Sequence, residues 1–491
     1  MRIIKILLIL IPFFSLSQVQ IGLDIDGVAA EDQFGSFKSV TLSANGDIVA
    51  IGAGLNDGNG TDSGHVRVFK NNNNIWTQIG QEISGEVAGD LFGGSISLSL
   101  DGTIVAISAI LNDGNGTDSG HVRVFKNNNN IWTQIGQEIS GKVAGDRFGS
   151  SISLSSDGTI LAIGTTNNND NNYSGQTRIF KNINNIWTQI GQDINGEAEF
   201  DESSWSISLS SDGNIVAISS QKNDGNGLDS GHVRVFKNNN GAWIQIGQDI
   251  NGEAELDHSG VNISLSADGT ILAIGADLND DNGKSSGHVR IYKNQFDEWI
   301  QLGADINGEA AFDGSGISVS LSADGTIVAI GSFRNDDNGI DSGHVRIYKN
   351  QNDNWIQIGA DIEGESAGDW FGTCVSLSSD GNTVAIGARF NDGINGQDSG
   401  HVRVYDLTTV LSTESFKLDY FSFYPNPVKD LLNINLNNDF ELKQINIYNI
   451  QSQYLYSTKE LKIDTKNLKD GMYFIEVETN KGKSAKKIVV Q

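Results

Sequence analysis

The sequence predicts an all-β protein: a seven-bladed β-propeller closed by its own N-terminal strand, followed by a small C-terminal β-sandwich. Three observations carry this reading. A block reading SGHVRVF, or a close variant, occurs seven times, with its glycine at Gly64, Gly120, Gly175, Gly231, Gly287, Gly343 and Gly400. The interval of 55–57 residues is the mark of a repeat architecture. Within each interval, short alternating apolar segments are separated by Asp-Gly and Gly-rich turns. No segment carries a 3.6-residue apolar stripe, which excludes helical and horseshoe solenoids. The 491 residues include only three prolines, and none lies between Gln18 and Leu407, as uninterrupted strands require.

The elements follow in order. Residues 1–17 read as an export signal: Arg2 and Lys5 precede a short apolar run, Ile6 to Phe14, and Ser15-Leu16-Ser17 resembles a small-residue cleavage site. The run is too short to span a bilayer, so no membrane span is expected in the mature chain. Residues 18–407 are the propeller. In the second repeat Trp76–Gly80 alternates as a strand, QEISGEVAGD is a loop, and Phe92–Ser99 is the next strand. A turn at Asp101-Gly102, a favoured hairpin dipeptide, leads to Thr103–Ser108, a longer loop, and His121–Phe125. Four strands in such a unit make one blade.

Strand counts predict how the ring closes. The Asp-Gly turn (first as Asn45-Gly46) occurs seven times, but the tryptophan strand only six times, at Trp76, Trp132, Trp187, Trp243, Trp299 and Trp355. The missing copy is QVQIG at Gln18–Gly22, which should pair beside His401–Tyr405 and remove the free sheet edge. Residues 408–422 read as a linker and 423–491 as a second domain, where alternation at Leu432–Leu436, Ile445–Ile447 and Tyr473–Val477 supports a small sandwich.

Charge limits the partners. The chain carries −28 overall, whereas residues 416–491 hold 11 Lys against 9 acids, so the repeats are strongly acidic. Such a surface repels nucleic acid and anionic membranes, and suits cations, basic partners or neutral glycans as well as plain solubility. The single cysteine, Cys374, excludes an intrachain disulfide and reads as a buried strand residue.

Two resemblances sharpen the picture. The pairs Phe34-Gly35, Phe92-Gly93, Phe148-Gly149 and Phe371-Gly372, with the VAIGA-like and GHVRVF strands, resemble the FG-GAP-like (integrin-alpha-type) propeller family over roughly Gln18 to Leu407. Three repeats depart, with Ser203, Ser259 and Ser315 in place of Phe. That family often carries a calcium loop between its first two blade strands; here the loop has shrunk to Ser-x-Asp-Gly, so calcium is not expected there. FYPNPVKDLLNI (Phe423–Ile434), INIYNIQSQ, LKDGMYFIEVET and the terminal KSAKKIVVQ resemble the type A C-terminal sorting domain of type IX secretion in Bacteroidetes. The resemblance implies contact with that secretion machinery and a secreted or cell-surface location.

Most conspicuous polar residues recur in every repeat, which weighs against a single catalytic centre. Arg67, Arg123, Arg178, Arg234, Arg290, Arg346 and Arg403 share one strand position. Asp32, Asp90, Asp146, Asp201, Asp257, Asp313 and Asp369 precede the innermost strands. A buried strand Arg needs a partner, so recurring Arg–Asp pairs are expected. A His begins six of the HVRVF strands, with Gln176 in the other copy, and reads as a structural hydrogen-bonding group. The NDGNGTDSG loop (Asn112–Gly120), with counterparts at Asn56, Asn223 and Asn391, offers oxygens to calcium but also builds Asx-turns without any ion. Trp205, His258, Arg334, Trp370 and Arg389 break the repeat; Trp205 reads as compensation for the Phe its blade has lost.

No GxSxG, HExxH, Walker or Rossmann motif and no zinc-ligand spacing occurs, and no catalytic, cofactor or metal residue is assigned. The expected function is non-catalytic recognition or adhesion of an extracellular protein or glycan through the loop-rich rim. The alternative is a polysaccharide-degrading hydrolase or lyase with its site in the propeller.

Overall fold

Each repeat folds into one antiparallel sheet. In the second repeat Phe92–Leu98, Ile104–Ala109, His121–Asn127 and Trp132–Gln134 lie side by side from axis to rim. The second strand is β-branched and covered on both faces, with Val105, Ala106 and Ile107 fully buried, because neighbouring sheets pack against it from either side. At the hairpin, Ser99 Oγ donates to Asp101 Oδ1 (2.7 Å), and the Thr103 and Ile104 N–H groups donate to Asp101 Oδ1 and Ser99 Oγ (2.9 Å each). The computed structural model describes residues 18–168, 173–412, 421–436, 441–449, 453–466, 468–469, 471–479 and 482–491. The expected signal peptide, residues 1–17, lies outside them.

Each sheet has five strands, not the expected four. The segment read as a loop after the tryptophan strand contains a short strand, Ile139–Ser140 in the second sheet, which pairs with His121 and Val122. The HVRVFKN strand is longer than WTQ, so the chain can re-engage it after a break at Gly136. That glycine has φ +72°, and a Cβ there would run into the Trp187 ring of the next sheet.

Among the described residues there are seven such sheets, and they form a closed ring of β-propeller-like architecture. The residue after the hairpin serine donates its N–H to the same residue of the next sheet: Ala44 to Leu100, Leu100 to Ser156, Ser156 to Ser211, Ser211 to Ala267, Ala267 to Ala323, Ala323 to Ser379, and Ser379 back to Ala44, at 2.8–3.0 Å. The last sheet is completed from the start of the chain. Val19 and Gln20 pair with Asp406 and Tyr405, and Ile25 and Asp26 with Val402 and His401. The expected closure is therefore present.

Tryptophans lock adjacent sheets along the outer wall. Trp132 Nε1 donates to Ile79 O (2.9 Å), Trp243 to Ile190 O (3.0 Å) and Trp76 to Ile21 O (2.7 Å), and each indole packs on a glycine of that neighbour. The closing strand has no Trp. Its slot against Gly359 is filled by Gln18, whose Nε2 donates to Ala360 O (2.7 Å), and by buried Val410. The expected linker at 408–422 thus begins as a short helix, Thr408–Ser412, that serves the propeller; residues 413–420 lie outside the described set.

The chain divides into two units, residues 1–410 and 411–491. The second contains a three-stranded and a four-stranded antiparallel sheet. They share a core of Phe421, Val428, Leu432, Ile434, Ile445, Ile447, Ile463, Ile475, Val477, Ile488 and Val490. Among the described residues no helix is long and apolar enough to cross a membrane.

Candidate functional site

The repeated polar residues are engaged in structure, but not as the sequence suggested. The arginines do not pair with the Asp set. Arg123 reaches Glu86 (2.7 Å), Arg234 reaches Glu197 (3.2 Å), Arg290 reaches Glu253 (3.5 Å), Arg346 reaches Glu309 (3.4 Å) and Arg403 reaches Glu365 (3.4 Å). Each Glu lies in the crossing from the preceding sheet, and the same guanidinium also takes a carbonyl there, Ser84 O for Arg123 at 3.1 Å. The FG phenylalanine receives its face: Arg123 lies 4.4 Å over Phe92, Arg178 4.0 Å over Phe148 and Arg403 4.3 Å over Phe371. Where Ser replaces that Phe, Arg290 reaches Ser259 Oγ instead (3.5 Å).

The Asp set staples two loops of one sheet. Asp90 accepts from Asn112 Nδ2 (3.0 Å), Asp201 from Asn223 (3.0 Å) and Asp369 from Asn391 (2.9 Å). These Asn residues open the NDGNG loops, and their Oδ1 atoms accept the N–H two residues on, as in Asn112 to Gly114 (2.9 Å). The loop oxygens are thus turned inward to backbone N–H groups, the Asx-turn reading of this motif. Cys374 is buried, with Sγ 3.8 Å from Val40 O.

The histidines form recurrent clusters at the loop-rich rim that sequence reasoning missed. Burial, and then the adjacent Arg, pulls the imidazoles of His121, His232, His344 and His401 down to about 4, so they are neutral. Around them gather carboxylates: Glu253, Asp281 and Asp305 with His288; Glu309, Asp337 and Asp361 with His344; Glu197 and Asp249 with His232; Asp24 and Glu365 with His401. Beside the second set, burial, followed by Asp337, Asp361 and Glu309, raises Glu363 to about 7. These residues are far apart in sequence. Their one local signal is NDDNG in the fifth and sixth repeats, where the first, second and fourth read NDGNG and the seventh NDGING.

A second and asymmetric site lies where the inner loops meet around the axis. Trp370 packs edge-on against Phe333 and Phe390, both at 4.8 Å between ring centroids. The Arg389 guanidinium lies 4.7 Å over Trp370, 4.7 Å over Phe37 and 4.4 Å over Phe390; Arg334 lies 4.7 Å over Phe333. Below this cluster is a cavity of about 390 Å³, lined by inner-strand residues together with Phe37, Lys38, Trp205, Val261 and Ile317. The Lys38 ammonium lies 4.8 Å over the Trp205 ring and donates to the Trp205 carbonyl; burial lowers this amine to about 8.

Of the five residues singled out from the sequence, Arg334, Trp370 and Arg389 come together here. Trp205 does not fill the vacated Phe position, which Ser203 occupies against Gly175; it faces the cavity. His258 shares the register of Trp370 but lies in another repeat, among Asp229, Lys222 and Glu202. Phe37 and Lys38 were missed. Their signal is a two-residue insertion: FGSFKSVTLS in the first repeat against FGGSISLS in the second.

The architecture defines a repeat protein of propeller-like sheets with an appended small sandwich. Comparison with known families agrees. The FG-GAP repeat family matches residues 84–125 and 363–405, and the secretion system C-terminal sorting domain matches residues 422–491. The chain carries FG-GAP repeats and a type IX sorting domain, the tail that marks export to the cell surface or extracellular space. No curated protein matches the chain. Among solved structures, a Bacteroides uniformis protein described as a candidate 6-phosphogluconolactonase is similar at 14% identity and a TM-score of 0.46, covering 66% of this chain and 85% of its own.

Proposed function

We propose that the chain is an exported, seven-bladed propeller that recognises or adheres to an extracellular glycan or protein through the axial mouth of its loop-rich face, without turnover. The seven sheets and their closed hydrogen-bond circuit support the blade count. One observation carries the functional reading. The repeated Arg and Asp residues are consumed internally, whereas residues that differ between repeats gather around the axis. A single register just before each inner strand, held at φ between +50° and +62°, presents Gln33, Leu91, Arg147, Glu202, His258, Gly314 and Trp370. A constant backbone that presents unlike side chains on one face is the arrangement of a binding surface. Its centre is a cluster of aromatic rings and guanidinium groups, residue types enriched at interface hot spots.

The test is an array of extracellular glycans and proteins probed with the full chain and with a Trp370→Ala/Arg389→Ala variant. Binding lost in the variant, with the array molecules left intact, supports the proposal. A ligand bound equally by both overturns it. The alternative, a polysaccharide hydrolase or lyase, draws on Lys38: an amine near pH 8 beside a cavity suits a general base. Polysaccharide cleavage abolished by Lys38→Met would establish that reading instead.

A further inference from the structure

We infer that the fifth and sixth repeats each build a site for a divalent transition-metal ion, with Glu253, Asp281, His288 and Asp305 as one donor set and Glu309, Asp337, His344 and Asp361 as the other. The inference is independent of what the axial mouth binds. Within each set the donor atoms lie within 4.8 Å of one another. Donors about 2.0–2.2 Å from a shared ion sit roughly 3–4 Å apart, so closing on an ion takes only small rotations of the carboxylates. Those of Asp281 and Asp337 are exposed, and Glu253 and Glu309, also exposed, meet Arg290 and Arg346 through Oε1 alone, which leaves Oε2 for the ion.

Independent observations point to a ligand. His288 and His344 are 1% and 0% exposed, and the Nδ1 atom of each has no hydrogen-bond partner. Both are aimed into the cluster. His288 Nδ1 lies 3.8 Å from Glu253 Oε2 and 3.8 Å from Asp281 Oδ2, and His344 Nδ1 lies 4.0 Å from Asp361 Oδ2. These separations are too long for hydrogen bonds and suit two donors on one ion.

The third repeat supplies a natural comparison. There the Glu is replaced by Lys142 and the His by Gln176, and the Lys142 ammonium lies 2.6 Å from Asp193, the counterpart of Asp305 and Asp361. Where the donor set is lost, the chain places its own cation on the remaining carboxylate.

The donor chemistry selects the ion. One neutral imidazole nitrogen with three carboxylates suits zinc and its first-row neighbours, whereas calcium and magnesium take oxygen donors. Only these two repeats read NDDNG; Gly58, Gly114, Gly225 and Gly393 stand where Asp281 and Asp337 supply the fourth donor. Each Glu comes from the crossing out of the preceding sheet, while the His and the two Asp belong to the next sheet. A bound ion therefore ties neighbouring sheets together at the rim.

The experiment is a zinc titration of the chelator-stripped full chain against a chromophoric competitor, with metal analysis after dialysis. Two tight equivalents are expected, one per donor set. Asp281→Gly and Asp337→Gly, which install the glycine of the other repeats, should each weaken one equivalent by roughly tenfold or more. His288→Gln with His344→Gln, the glutamine of the third repeat, should remove both, while circular dichroism reports an unchanged fold. Equal zinc uptake by wild type and the glycine variants overturns the inference. Displacement of zinc by equimolar calcium overturns the choice of ion.

Discussion

Arg123 shows how a buried charge is held in this ring. Its guanidinium meets Glu86 and the Ser84 carbonyl, which lie in or lead out of the preceding sheet, together with the face of Phe92 in its own sheet. Arg123→Ala should cost about 2–3 kcal/mol, because it leaves a carbonyl unpaired and opens the packing on Phe92. Glu86→Gln should cost less than about 1 kcal/mol, since the Glu86 side chain is 56% exposed and its pairing is screened. Urea unfolding of the two variants checks this ordering. Asp277 gives a pH signature. Burial pushes its carboxyl up to about 7, against its own backbone N–H and Arg334, which act to lower it, and Oδ1 has no partner. The folded value lies above the unfolded one of about 4, so its favourable contribution is full below pH ~4 and is lost as pH rises through 7. Asp277→Asn should stabilise the chain by on the order of 2 kcal/mol at pH 8 and change little at pH 4, as read by thermal melts across that range.

At the scale of elements, the closing strand is the critical one. Deleting residues 18–23 removes the partner of Tyr405 and Asp406, the Trp76 to Ile21 hydrogen bond and the Gln18 contact on Gly359. The expected outcome is a melting temperature lower by several degrees and concentration-dependent association through the exposed edge, measured by light scattering. An unchanged melt would contradict the closure. This element was legible because a strand count is a local property: six tryptophan strands against seven hairpins leave one strand to find. The fifth strand of each sheet was hidden in a segment too short for alternation to register. The Arg partner was misread because either acid lies in the same loop, and sequence cannot say which of them crosses to the neighbouring sheet. The axial cluster was half legible. Arg334, Trp370 and Arg389 stood out by breaking the repeat, while the Phe37-Lys38 insertion was masked by the regular spacing around it. The His–carboxylate sets left only the NDDNG of the fifth and sixth repeats as a local signal, because the Glu reaches the His and Asp residues only when two sheets pack.

For the whole molecule, the division of labour is between an exported ring and its sorting tail. A chain ended after Ser412 keeps Val410 in the Gly359 slot and should fold but remain in the periplasm of a type IX-competent host; its appearance in the medium would contradict the sorting role. The central claim is that the loop-rich face binds without turnover, through residues that break the ring's symmetry. The most direct test is an equilibrium titration of an array-identified ligand with the wild-type full chain, Trp370→Ala/Arg389→Ala and Lys38→Met, with the ligand recovered and sized afterwards. The account expects saturable binding by the wild type and by Lys38→Met, a loss of roughly tenfold or more in the double variant, and ligand recovered intact in every case. Ligand recovered cleaved, with cleavage abolished by Lys38→Met, or binding undiminished in the double variant, would contradict it.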